Sequence, residues 1–200
     1  GYGNTNYLID NKRRLAWYKD VTCVSNVVGA LLRVGVPIQN IWYVDGDWQD
    51  PSTANLCRQC PEIPERCAGC SHLAGYVSWG IWGFDYGDWS RTVGFTGGSS
   101  WYIMTSVESW NGQWGDEQGR TRDWQYTFHR WFENTAFRGT SYANTPVGAL
   151  STVAEPSGAC FIDYGTLFGL WAQGKTLAIC GWNASVGWTV QVTGDPLVRR

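Results

Sequence analysis

The strongest constraint on this chain is an alternation of helix-forming and strand-forming runs in which strand after strand empties into a polar or glycine-rich loop. Residues 26–34 (NVVGALLRV) read as a buried helix, with Ser25 placed to cap it, Gly35 just past its end and Pro37 forbidding continuation. The run that follows, Ile41-Trp42-Tyr43-Val44, is β-branched and aromatic and stops at Asp45-Gly46-Asp47, as a strand closing on a loop does. Further strands are expected at 6–10, 73–79, 101–107 and 146–153, the third of these leading into a polar loop over 111–122. Trp124, Phe128, Trp131, Phe132 and Ala136 recur at helical spacing, which predicts an amphipathic helix over 123–137 stopped by Gly139. Two short helices are expected over 163–173 and 175–182, separated by Gly174, and a last ordered stretch over 186–192. Helix alternating with strand is the α/β pattern, and 200 residues make one such domain, 1–200.

Charge removes several functions. Fifteen Lys and Arg stand against 17 Asp and Glu, a net of −2, so there is no basic field to attract nucleic acid and no polybasic membrane anchor. No run of 18 apolar residues occurs, so nothing in the sequence is expected to span a bilayer. The 14 Trp, 10 Tyr and 25 Gly favour rigid aromatic surfaces and tight turns. Together with seven cysteines they point to an extracellular or cell-surface setting. A start at Gly1 reads as a processed form or as a piece of a longer protein. Asn183-Ala184-Ser185 is the one N-glycosylation sequon, a weak sign in the same direction.

A polar, Pro- and Cys-rich insert over 50–71 interrupts the α/β rhythm. Within it, Cys57-x-x-Cys60 and Cys67-x-x-Cys70 are separated by six residues, a spacing that lets four thiolates hold one tetrahedral zinc ion. Two disulfides stapling a loop without an apolar core would use the same cysteines, and both readings stay open. An iron–sulfur cluster lacks its familiar spacing here. Covalent haem is rejected, because Pro61 and Ser71 stand where a histidine would have to follow each pair. Cys23, Cys160 and Cys180 lie apart in apolar or helical settings and read as buried thiols or one further disulfide.

Three segments carry a family likeness: Gly75-Tyr76-Val77-Ser78-Trp79-Gly80 at a strand end, 145–156 (TPVGALSTVAEP), and 188–197 (WTVQVTGDPL), of which Gly-Asp-Pro-Leu is the most specific. In this order they resemble the gingipain-like branch of caspase-fold cysteine peptidases, including its bacterial surface members, over residues 75–197. The resemblance implies a mainly parallel caspase/gingipain-like sheet flanked by helices, with His-Gly closing one strand and Cys closing the next, because a thiolate nucleophile needs an adjacent imidazole. This chain carries Trp79-Gly80 at the first place and Ser106-Val107-Glu108-Ser109 at the second. The dyad is missing, so no catalytic residue is assigned and the chain is expected to be a pseudoenzyme. His72 precedes its strand beside the cysteine insert, where a ligand or surface role is expected, and His129 falls in the middle of the expected helix.

Three functions follow as expectations. The first is a non-catalytic structural or assembly protein that self-associates or binds other surface proteins through its aromatic residues. The second is a cysteine peptidase using Cys160 or Cys180 with His72. The third is a carbohydrate-binding module that stacks glycans on Trp79, Trp82, Trp89, Trp110 and Trp114. Against the last stands the ordinary tendency of tryptophan to fill a core. Asp45, Asp47 and Asp50 could bind calcium but lack the EF-hand pattern and read better as a solvated acidic loop. Asp85, Asp88, Glu108, Asp116 and Glu117 are loop carboxylates near tryptophans, and no spacing pairs two of them for sugar cleavage.

Overall fold

The computed structural model describes residues 5–10, 22–44, 68–78, 94–95, 99–107, 110–112, 128–154 and 162–200. Its centre is a six-stranded sheet built from β1 (Asn6–Asp10), β2 (Ile41–Val44), β4 (Leu73–Ser78), β6 (Ile103–Ser106), β7 (Gly148–Thr152) and β8 (Val190–Gly194). The strand order is β2-β1-β4-β6-β7-β8, parallel throughout except for β8, which runs antiparallel to β7. The α/β architecture expected from the alternation is therefore present, as a mostly parallel mixed sheet flanked by helices.

Three α-helices among the described residues lie with one face of the sheet: α1 (Thr22–Arg33), α2 (Tyr164–Ala172) and α3 (Leu177–Ala184). Leu31, Leu167, Phe168, Trp171 and Leu177 pack there against Tyr7, Ile9, Val77, Ile103 and Leu150 of the strands, all of them fully buried. Each such side chain removed from water contributes about 1.5–3 kcal/mol, which is why near-continuous apolar strands go with a covered parallel sheet. Gly75 sits where the packing is closest: a Cβ there would come within 2.7 Å of the rings of Tyr7 and Phe168. The helix ends follow from local chemistry. Asp163 caps α2 by accepting from Thr166 N at 2.9 Å, Thr176 caps α3, and Gly174 takes φ +74° in the turn between them. Helix α1 begins at Thr22, so Ser25 lies inside it and is not its cap; Gly35, at φ +87°, does end it as expected.

The opposite face is aromatic. Tyr76, Phe95, Tyr102 and Phe137 meet edge to face at 5.5–6.4 Å, and Phe95 stacks on Phe137 at 4.7 Å. Buried Asn144 ties this cluster together by donating to the carbonyls of Phe95 and Phe137. The amphipathic helix expected over 123–137 is not what covers this face. Its described part consists of 3₁₀ turns at Phe128–Phe132 and Ala136–Arg138, because Phe137 and Arg138 take left-handed φ of 52° and 55°, which no α-helix accommodates. The apolar spacing was real, since Phe128, Trp131 and Ala136 are buried, but the backbone delivers them in shorter turns.

Two further boundaries differ from expectation. The end of the cysteine-rich segment, Ala68–Cys70, is strand β3, paired parallel with β5 (Gly94–Phe95) in a small separate sheet. The last strand is Val190–Gly194, displaced from 186–192 because Gly187 at φ +85° turns the chain first.

Candidate functional site

In an open parallel sheet, ligands bind outside the carboxyl ends of the strands, near the point where successive connections leave in opposite directions. Here β2 and β4 flank β1 on opposite sides, so that point lies between the tips of β1 and β4. The rim continues along β4, β6 and β7. Ser78 and Ser106, the last residues of β4 and β6, are register partners, so the two tips that the family likeness would furnish with an imidazole and a thiol are direct neighbours.

What occupies the described part of this rim is a buried polar clamp. Asn111, in the turn after β6, donates from Nδ2 to Ser106 Oγ at 2.7 Å and accepts on Oδ1 from the Thr152 amide at 3.0 Å. One side chain thus joins the tips of β6 and β7. The backbone completes the clamp: Gly112 N donates to Thr152 O at 2.7 Å, and Phe128 N donates to Asn111 O at 2.8 Å. Glycine is required at 112, since a Cβ would stand 2.7 Å from Ser151 Oγ and 3.0 Å from Thr152 O. Tyr164 Oη donates to Ser106 O at 3.4 Å from the helical face. Ser106 is therefore 1% exposed and held by Asn111, not presented to a cleft.

The remaining candidates are dispersed. His72 is exposed and stands before β4, at the opposite end of that strand from Ser78. Cys180 is buried in α3, its thiol 3.7 Å from the Lys175 carbonyl and pushed up to about 12 by desolvation, so at neutral pH it is no thiolate. No hydrogen bond joins Cys180 to His72. Cys160 lies outside the described residues, as do Asp45, Asp47, Asp50, Asp85, Asp88, Glu108, Asp116 and Glu117. Of the tryptophans proposed for stacking, Trp110 is half-buried with φ 64° at the clamp, and Trp79, Trp82, Trp89 and Trp114 lie outside the described residues. His129 sits half-buried in the first 3₁₀ turn, its ring edge-on to Phe128.

Of the four insert cysteines, Cys57, Cys60 and Cys67 lie outside the described residues, and Cys70 ends β3. Among the described residues no group of three or more His, Cys, Asp or Glu is placed to hold a metal ion, and no helix is long and apolar enough to cross a membrane. Sequence reasoning missed the clamp, although its signal is the dipeptide Asn111-Gly112, the commonest way to turn a chain sharply. It also passed over Trp182 and Trp188, which stand out of the surface after the last helix begins.

Scans of protein-family models, of curated proteins and of solved structures return no match to this chain.

Proposed function

We propose that this protein is a non-catalytic structural or assembly component of an extracellular or cell-surface system, built on a degenerate gingipain-like fold. One observation carries the reading. The neighbouring tips of β4 and β6, in register at Ser78 and Ser106, lead into Trp79-Gly80 and Val107-Glu108-Ser109 where a cysteine peptidase of that type would need His-Gly and Cys. The mostly parallel sheet agrees with the fold that the likeness implies. Around Ser106, the Asn111 clamp forms a buried hydrogen-bonded seam between the tips of β6 and β7, an arrangement that supports a structural role.

The test is chemical. Native protein treated with an electrophilic thiol-peptidase probe should show no labelling, and a broad peptide library should be left uncut. Stoichiometric labelling that is abolished by Cys160→Ala or by His72→Ala would restore the peptidase and end this proposal.

A further inference from the structure

We infer that the α3–β8 edge of the sheet is a self-association surface on which a second copy of this chain docks, antiparallel β8 against β8. The inference rests on the assembly role proposed above and names its contact. Strand β8 is the outermost strand and is hydrogen-bonded only to β7 among the described residues, which leaves its other side as a template for pairing. Sheet proteins that stay monomeric blunt such edges with lysine, proline or a bulge. Val190-Gln191-Val192-Thr193-Gly194 has no charge and no proline, and its five-residue register with β7 is unbroken.

The surroundings of the strand are apolar and exposed. Helix α3 presents Ile179 and Trp182 three residues apart, and Trp182 is 84% exposed. The turn into β8 presents Val186 and Trp188, the latter 100% exposed. Val192, the middle residue of β8, lies against Gly181 of α3, where a Cβ would meet it at 2.6 Å, and is itself partly exposed. Tryptophan is the residue most concentrated at the energetic centres of protein interfaces, and two tryptophans this exposed six residues apart are where such a centre would form.

Charge and symmetry select the occupant. From Thr176 to Gly194 the chain carries no Asp, Glu, Lys, Arg or His. A two-fold contact sets the same patch against itself, so a face of one charge sign would repel its copy and a neutral one does not. The same axis makes two β8 strands antiparallel, which is the pairing an open antiparallel edge accepts. Area points the same way. At about 150–250 Å² for each buried aromatic, the two tryptophans supply roughly 300–500 Å² per copy, and the strand with its flanking aliphatic residues carries the total towards the ~800 Å² per partner of a standard interface.

Sedimentation velocity over a concentration series tests the contact, with Trp182→Glu and Trp188→Glu as the variants. Both side chains lie in solvent in the single chain, so at dilutions where the parent is monomeric the variants should melt as it does. The parent should dimerise, and each variant should weaken dimerisation by at least about 30-fold, the size of an interface hot spot. Amide exchange of the alternate β8 residues whose N–H groups face away from β7 should be slow in concentrated parent protein and fast on dilution, a readout that holds even where a variant folds poorly. A parent that is monomeric at every concentration overturns the inference, whether or not neutral oligosaccharides quench its tryptophan fluorescence. A dimer that survives both substitutions overturns it as well. Labelling by the thiol probe would sink the non-catalytic reading while leaving this contact to be judged by sedimentation alone.

Discussion

Asn111 shows how much one side chain does at the sheet rim. Its amide spans the tips of two strands, and its loss leaves the Thr152 N–H and the Ser106 hydroxyl buried without that partner. Asn111→Ala should therefore cost about 1–3 kcal/mol, read as a lower urea midpoint at unchanged slope. Two other buried groups set the response to alkali. Burial raises the Cys180 thiol from 9.0 to about 12, and burial raises the Tyr7 phenol from 10.0 to about 12, with Arg200 pulling the phenol partly back. Both groups keep their protons in the folded chain at pH values where the unfolded chain has lost them. The stability they contribute is complete below about pH 9 and disappears as pH rises from there towards 12. Urea midpoints measured between pH 8 and 11 should fall, and Cys180→Ala should flatten part of that fall; a rise would reverse the assignment.

Among the elements, the crossing of α1 and α2 shows why small residues recur. Gly165 approaches Asn26 O and Ala30, and Gly169 lies over Ala30, so the two helices pack closely and leave an outward groove of about 610 Å³. The glycines are not equivalent. At Gly169 a Cβ would rest 3.7 Å from Ala30 Cβ, an ordinary contact, so Gly169→Ala should stabilise by about 0.5–1 kcal/mol through helix propensity. At Gly75 the same methyl would enter the rings of Tyr7 and Phe168, and Gly75→Ala should destabilise by about 1–3 kcal/mol. Thermal denaturation of the pair checks both signs. Strand positions were legible in sequence because β-branched and aromatic runs end at turn residues, as at Ile41–Val44 and Leu73–Ser78. The segment before Gly139 was not, because apolar spacing near three or four fits an α-helix and successive 3₁₀ turns alike. The left-handed Phe137 and Arg138 decide between them, and they stand where Asn144 holds the Phe137 carbonyl and the Phe137 ring joins the aromatic cluster.

At the scale of the whole molecule, the four-cysteine insert separates two ways of holding a polar segment together. Metal analysis with thiol counting should find either one zinc per chain with Cys57, Cys60, Cys67 and Cys70 reactive only after chelation, or no zinc and the same four reactive only after reduction. Four thiols that react at once in native, metal-free protein would remove the shared structural role. The sequence alone determined the α/β class, the two short helices on either side of Gly174, and the absence of His-Gly and Cys from the two strand ends, because propensity, turn chemistry and residue identity are local properties. Only the tertiary structure decided that those two ends are neighbours, that Asn111 reaches back to join the tips of β6 and β7, and that β8 is left as a neutral edge beside two exposed tryptophans. Strand order and solvent exposure come from contacts between residues far apart in the chain, and no window of sequence contains both partners.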